Sequence, residues 1–174
     1  MGTNHRCLLL HSEIRWLSRG RVVQRIFELR DEVKKFLEER NFQYFESLND
    51  SFFIKVSYLA DIFNQINSLN RNLQKDSNII DYNSAIKGFM KKLKIWAKKI
   101  EIDNYEMFPT LKNFLENKDL QFSSIKLVVK RHLEELHKHF DEYFPELKEK
   151  QNDDWICNPF AANNEKQNLS ADKE

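Results

Sequence analysis

Between Phe52 and Leu73 the apolar residues Phe52, Val56, Leu59, Phe63, Ile66, Leu69 and Leu73 recur at intervals of three and four. That is the period at which one side of an α-helix comes round again, whereas a strand repeats every second residue. Asn49-Asp50-Ser51 stands just ahead of the run as a helix cap. The chain has 14 Phe but only 3 Gly and 3 Pro in 174 residues, so it is rich in bulky core residues and poor in the residues that make turns. Long helices joined by few loops follow, and the expected fold class is all-α, a multi-helix bundle in a single domain.

Four further helical patterns complete the bundle. Val22, Ile26, Leu29, Val33, Phe36 and Leu37, with Val23 and Phe27 widening the stripe, predict a first helix of about 20 residues beginning near residue 20. Asp76-Ser77-Asn78 breaks the second helix, and Ile86, Phe89, Leu93, Trp96 and Ile100 mark a third. A shorter fourth lies between Tyr105 and Asn117, with Pro109 in its first turn, where a missing N–H costs least. Ser123-Ser124 caps a fifth through Ile125, Val129, Leu133, Leu136, Phe140 and Tyr143, and Pro145 stops it. Residues 7–11 (CLLLH) read as a short buried strand with no partner strand in the chain. The organisation expected is an entering segment 1–19, a helical domain 20–147 and a largely disordered tail 148–174, with Trp155, Ile156, Pro159 and Phe160 as the tail's bulky residues.

The totals exclude several functions. A formal charge of +1 gives no global attraction to nucleic acid or anionic lipid, so any such contact is local. Cys7 and Cys157 form no CxxC or Cys/His cluster, which leaves no support for a disulfide framework or a zinc site. The run Cys7–Leu10 is too short for a signal or a membrane span. A soluble, intracellular protein is the expectation.

Three groups of side chains carry potential chemistry. His132, His137 and His139 stand at intervals of five and two rather than the i, i+4 spacing of helical metal pairs, and read as solvated surface residues. Lys87, Lys91, Lys92, Lys94, Lys98 and Lys99 form a basic run with no acidic residue before Glu101. It reads either as a solvated face or as a surface for phosphates. In SEIRWLSRGRVV, Arg15, Arg19 and Arg21 surround Trp16 just ahead of the first helix. A tryptophan among arginines can stack on an unpaired base while the cations hold the backbone; it can equally plug the end of the bundle. No phosphate loop, nucleophile elbow or paired carboxylate marks an enzyme.

The wording of the chain then narrows the choice. CLLLHSEIRWLSRGRVVQRIFELRDEVKKFL, YLADIFNQINSLNRNLQ, FMKKLKIWAKKIEIDNYEMFPTLKNFL, YFPEL and DDWICNPF, in that order over residues 7–160, closely resemble hAT-superfamily transposases. The nearest likeness is to the domesticated copies in zinc finger BED domain-containing proteins and in GTF2I-repeat and SCAN-domain fusions. The resemblance implies the helical insertion domain of an RNase H-like catalytic core, with residues 7–11 as the strand entering it. It implies a nuclear protein that meets DNA such as a transposon-end hairpin, with Arg15 and Trp16 in the base-handling role. Arg19, Arg21, Lys91, Lys94 and Lys98 complete the candidate DNA-binding set. The family's three catalytic carboxylates, needed to hold its metal pair, fall outside residues 1–174. The expectation is therefore a catalytically inactive fragment with no cofactor, no metal, no membrane partner and no small-molecule substrate. The rival expectations are a helical protein-interaction module and a transposon remnant without selected function.

Overall fold

The computed structural model describes residues 16–41, 43, 45–74, 79–145 and 147. The helices are α1 (Trp16–Glu28), α2 (Arg30–Glu39), α3 (Asp50–Leu73), α4 (Ile79–Glu101), α5 (Pro109–Lys118) and α6 (Ser123–Tyr143), with a 3-10 turn at Phe45–Ser47 before α3. Among the described residues there is no strand, and the all-α expectation holds. The strand expected at residues 7–11 and the tail from 148 lie outside the described residues.

Six helices stand where five were expected, because the first apolar pattern spans two. α1 and α2 meet at Leu29, whose φ of −95° and ψ of 18° bend the path. Its N–H still bonds Arg25 O at 3.0 Å and its carbonyl still accepts from Val33 N–H at 2.8 Å, so the chain turns without losing its hydrogen-bonded ladder. Of the expected broad stripe, the structure buries the edge that carries Val23 and Phe27. Ile26 and Phe36 are exposed, while Gly20 and Phe27 are buried with Val23 against the core. Glycine has no weight in an apolar pattern, yet Gly20 marks the closest approach of α1 to α3. A Cβ there would stand 2.5 Å from Asn67 Nδ2 and 3.1 Å from Phe63 Cβ. Helix α1 also begins at Trp16, so Ser18 and Gly20 lie within it rather than ahead of it.

The two described glycines make opposite predictions. At Gly88, in α4, an added Cβ meets nothing within 4 Å, so Gly88→Ala should raise stability by about 0.5–1 kcal/mol through helix propensity alone. Gly20→Leu should lower it by about 1–3 kcal/mol by prising α1 from α3. Urea midpoints of the two variants moving in the same direction would contradict this account.

Helix α3 is the axis of the bundle, with α1, α4, α5 and α6 packed around it. Asn49 caps it as expected, its side chain accepting from Phe52 N–H at 3.1 Å. The expected stripe understates its burial, because Phe53, Ile54, Tyr58, Ala60 and Ile62 are buried on several sides while Phe52 is exposed. From Val56 to Phe63 no residue of α3 is exposed, since four other helices pack around it. On α4, by contrast, Ile86, Phe89, Leu93, Trp96 and Ile100 are all buried, as the period predicts.

Helices α5 and α6 close the core. Pro109 occupies the first turn of α5 as expected. Phe108 before it offers no capping side chain, and the cap comes from α3 instead. Thr110 N–H donates to Asp61 Oδ1 at 3.2 Å and Leu111 N–H to Asp61 Oδ2 at 3.0 Å. Burial pushes the Asp61 carboxyl up, and these hydrogen bonds pull it part of the way back. The seryl cap expected for α6 is absent, since Ser124 Oγ donates to Gln121 O and Phe122 takes the cap position with no side-chain bond. Ile125, Val129 and Leu133 are buried, but Tyr143, placed in the same stripe, is 79% exposed because the core has ended by that turn.

With both described glycines inside helices, the helix stops fall to other residues. Asn41, Asp103 and Asp119 follow α2, α4 and α5 with φ of 48°, 56° and 50°. Asn104 N–H returns to Lys99 O and Leu120 N–H to Leu115 O, the bond that satisfies a terminal carbonyl when the next residue turns left-handed. Asn and Asp are the non-glycine residues that tolerate that region best.

Candidate nucleic-acid interface

Because Ile86, Phe89, Leu93, Trp96 and Ile100 fix which side of α4 faces the core, the helical period fixes what the other side presents. Lys87, Lys91, Lys94 and Lys98 follow one another at i, i+4, i+7 and i+11 and form a row along the helix. Lys92 and Lys99 form a second row, roughly 120° around the axis from the first. Between the rows stand Ile95, 52% exposed, and Ile102 just beyond the helix end, 75% exposed. Five of the six lysines are exposed and Lys87 is half-buried.

Among the described residues none of these six lysines forms an ion pair. The neighbouring acids are engaged elsewhere: Lys130 Nζ lies 2.6 Å from Glu101 Oε1, and Lys126 Nζ lies 2.8 Å from Asp103 Oδ1. The Lys130 ammonium, through its hydrogen bond and its charge, holds the Glu101 carboxyl below its ordinary value. These pairs tie the end of α4 to α6 and leave the lysine rows without an ion pair among the described residues, although Glu101 still feels the charge of Lys98.

The remaining candidates are separate from this face. Arg15 lies outside the described residues. Trp16 is the first residue of α1, one turn before Gly20. Arg19 and Arg21 on α1 are exposed. Helix α1 meets α3 around Phe63 and Asn67, and α4 meets it around Gln65, Ser68, Leu69 and Asn72. These contact faces are roughly 150° apart on α3, so the arginines of α1 and the lysines of α4 are not brought together. The part of the site missing from the sequence-based set is the pair Ile95 and Ile102, visible only once the phase of α4 is known.

The histidines divide. His137 is half-buried and His139 exposed, but His132 is not the solvated residue expected. Its Nδ1 lies 2.7 Å from the hydroxyl of buried Tyr58 on α3, with the rings edge to face at 5.6 Å. Desolvation lowers the His132 pKa against a smaller opposing effect of Glu135, and burial raises that of Tyr58. Both shifts favour the neutral forms, and the direction of the hydrogen bond between them follows the tautomer of the imidazole. Among the described residues no group of three or more His, Cys, Asp or Glu is placed to hold a metal.

A depressed histidine pKa sets the sign of a pH effect. The unfolded chain takes up the proton first, so the contribution of His132 is whole above the unfolded value near ~6.5 and is lost as pH falls through the folded one. The urea midpoint should therefore drop between pH 7.5 and pH 5, and His132→Gln, which keeps an acceptor for Tyr58, should shrink that drop. An equal drop in both proteins would remove His132 from the explanation.

Comparison with known proteins places the chain. Residues 1–101 match the family described as the FAM200/GTF2IRD2 helical domain, a span that ends with α4. Over 123 residues, 70% of this chain, the sequence is 32% identical to General transcription factor II-I repeat domain-containing protein 2 of Bos taurus. The match spans only 13% of that relative's length. No solved structure matches. Among the described residues no helix is long and apolar enough to cross a membrane. With more than half of its length matched, the chain belongs to the FAM200/GTF2IRD2 helical-domain family.

Proposed function

We propose that this chain is the helical insertion domain of a protein descended from an hAT transposase, catalytically inactive by itself and acting in the nucleus as a DNA-contacting element. The observation that carries the reading is the basic face of α4, whose lysines form no ion pair among the described residues, in a chain whose overall charge is only +1. Cations left without internal partners on a rigid helix suit an external polyanion. Family membership supports the descent, as do the blocks shared with hAT transposases. Arg19 and Arg21, with Arg15 and Trp16, form a second candidate contact at the start of α1.

The test is fluorescence anisotropy with a labelled DNA hairpin carrying a single-stranded flank, at two salt concentrations. Wild type should bind, and binding should weaken as salt rises. Trp16→Ala should remove a stacking-sized share, about 1–3 kcal/mol, if the ancestral base contact survives. No salt-sensitive binding to any DNA would end the proposal, and strand cleavage with magnesium or manganese would end its inactive part. A second reading, a protein-interaction module, draws on the outer side of α6, where Leu127 and Val128 are exposed beside Arg131 and Glu135. Salt-insensitive association with protein would favour it.

A further inference from the structure

We infer that the outer face of α4 seats in the major groove of duplex DNA, one lysine row to each strand and the isoleucine ridge toward the groove floor, without reading base sequence. The inference rests on the DNA-binding reading above and specifies the form of nucleic acid and the way it is held.

Three observations lead there. The first is the arrangement of charge. Lys87, Lys91, Lys94 and Lys98 run along one side of the exposed arc and Lys92 and Lys99 along the other. From Lys87 to Lys98 the row covers about 16 Å at 1.5 Å per residue, and duplex DNA carries one phosphate per about 1.7 Å of axis. The major groove is about 12 Å wide, the diameter of one helix with its side chains. A helix lying in it has a phosphate wall on each flank, which is where the two rows stand. A single backbone would engage one row and leave the other in solvent.

The second observation is the ridge. Ile95 and Ile102 are exposed between the rows. A helix against an open phosphate surface gains nothing from apolar groups at its point of closest contact. In the major groove that point meets base edges, including the methyl group of thymine, for which an aliphatic side chain is a fitting neighbour.

The third is what the face lacks. Single-strand binders interleave aromatic platforms with their cations, yet both aromatic residues in this stretch of α4, Phe89 and Trp96, are buried on the opposite side. Of the bidentate base readers, Arg, Asn and Gln are absent from Lys87 to Glu101, and the lysines, which can also reach guanine O6 and N7, stand on the flanks toward phosphate rather than over the groove floor. Lysine and isoleucine at these positions supply charge and fit but little sequence information, so binding should be duplex-specific and nearly sequence-blind.

The decisive experiment compares the full chain with two charge-neutral variants, Lys91→Gln/Lys98→Gln and Lys92→Gln/Lys99→Gln. Each is titrated with random-sequence duplex, single strands of equal length and phosphatidylserine vesicles, and circular dichroism confirms that the variants fold. Six phosphate contacts predict about a 10³-fold loss of duplex affinity for wild type between 50 and 200 mM salt. Removing two lysines from either row should cut that loss to about 10²-fold. Ile95→Asp should weaken duplex binding while leaving every lysine in place. Equal sensitivity of the two row variants, with duplex preferred over single strands, would support the groove seat. A response from only one row, or single strands bound as tightly as duplex, would overturn it while leaving DNA binding intact. Binding to DNA unaffected by either variant would place the contact elsewhere, at the start of α1. Binding to vesicles and to no DNA would overturn both readings.

Discussion

Replacing Phe108 by alanine should cost about 3–5 kcal/mol, among the largest losses any single change in this chain can produce. Phe108 is fully buried in the link between α4 and α5. Its ring meets that of Tyr58 at 5.1 Å, edge to face, and that of Trp96 at 5.8 Å. Trp96 in turn meets Phe89, and Phe89 meets Phe140 of α6. One ring therefore joins α3 to α4, and through them to α6, at the centre of an aromatic chain. Alanine would leave a cavity walled by large rings that cannot collapse into it without leaving their own partners. Chemical denaturation should show the midpoint falling with the slope unchanged. A loss below about 1 kcal/mol would mean that the site relaxes freely and that the aromatic chain is not a structural centre.

Asp61→Ala should be the next most damaging change, by about 2–4 kcal/mol, although it removes a charge from the interior. Two N–H groups at the start of α5 depend on this carboxylate. Each buried donor left without an acceptor costs about 1–3 kcal/mol, part of which is returned because a buried charge no longer has to be held. Asp61→Asn keeps one acceptor and places an amide N–H₂ near the other donor, so its cost should fall roughly midway. If the asparagine variant were as stable as wild type, the second hydrogen bond would contribute nothing. If alanine were neutral, water would be serving both donors.

These two residues show where the sequence was legible. The buried row on α4 could be read from its spacing because one side of that helix faces the core and the other faces solvent. Asn49 and Pro109 were legible for a similar reason, since each acts within a few residues of itself. Asp61 acts on residues 49 and 50 positions away, and Tyr58 bonds a histidine 74 positions away. No local period carries such pairings, so nothing in the sequence marked Asp61, and His132 read as a surface residue. The split of the first helix was hidden because its ladder continues through Leu29 and because Gly20, where α1 presses closest, has no apolar side chain to enter the pattern. At the candidate interface the lysines were evident from composition. Their division into two rows around Ile95 and Ile102 required the phase that burial supplies.

The covering of α3 and α4 by α5 and α6 separates two meanings of the word domain. The match to the family's helical domain ends at Glu101, but the packed core does not. A chain cut there would expose Leu93 and Trp96, leave Tyr58 without His132, and uncover Asp61 while removing the two N–H groups that it caps. Such a truncation should behave as a sticky, partly folded polypeptide, prone to self-association and open to proteases along α3. The stretch beyond Glu101 supplies an apolar lid and two backbone N–H groups to the helices before it. An expression boundary chosen by family likeness alone would sever that lid.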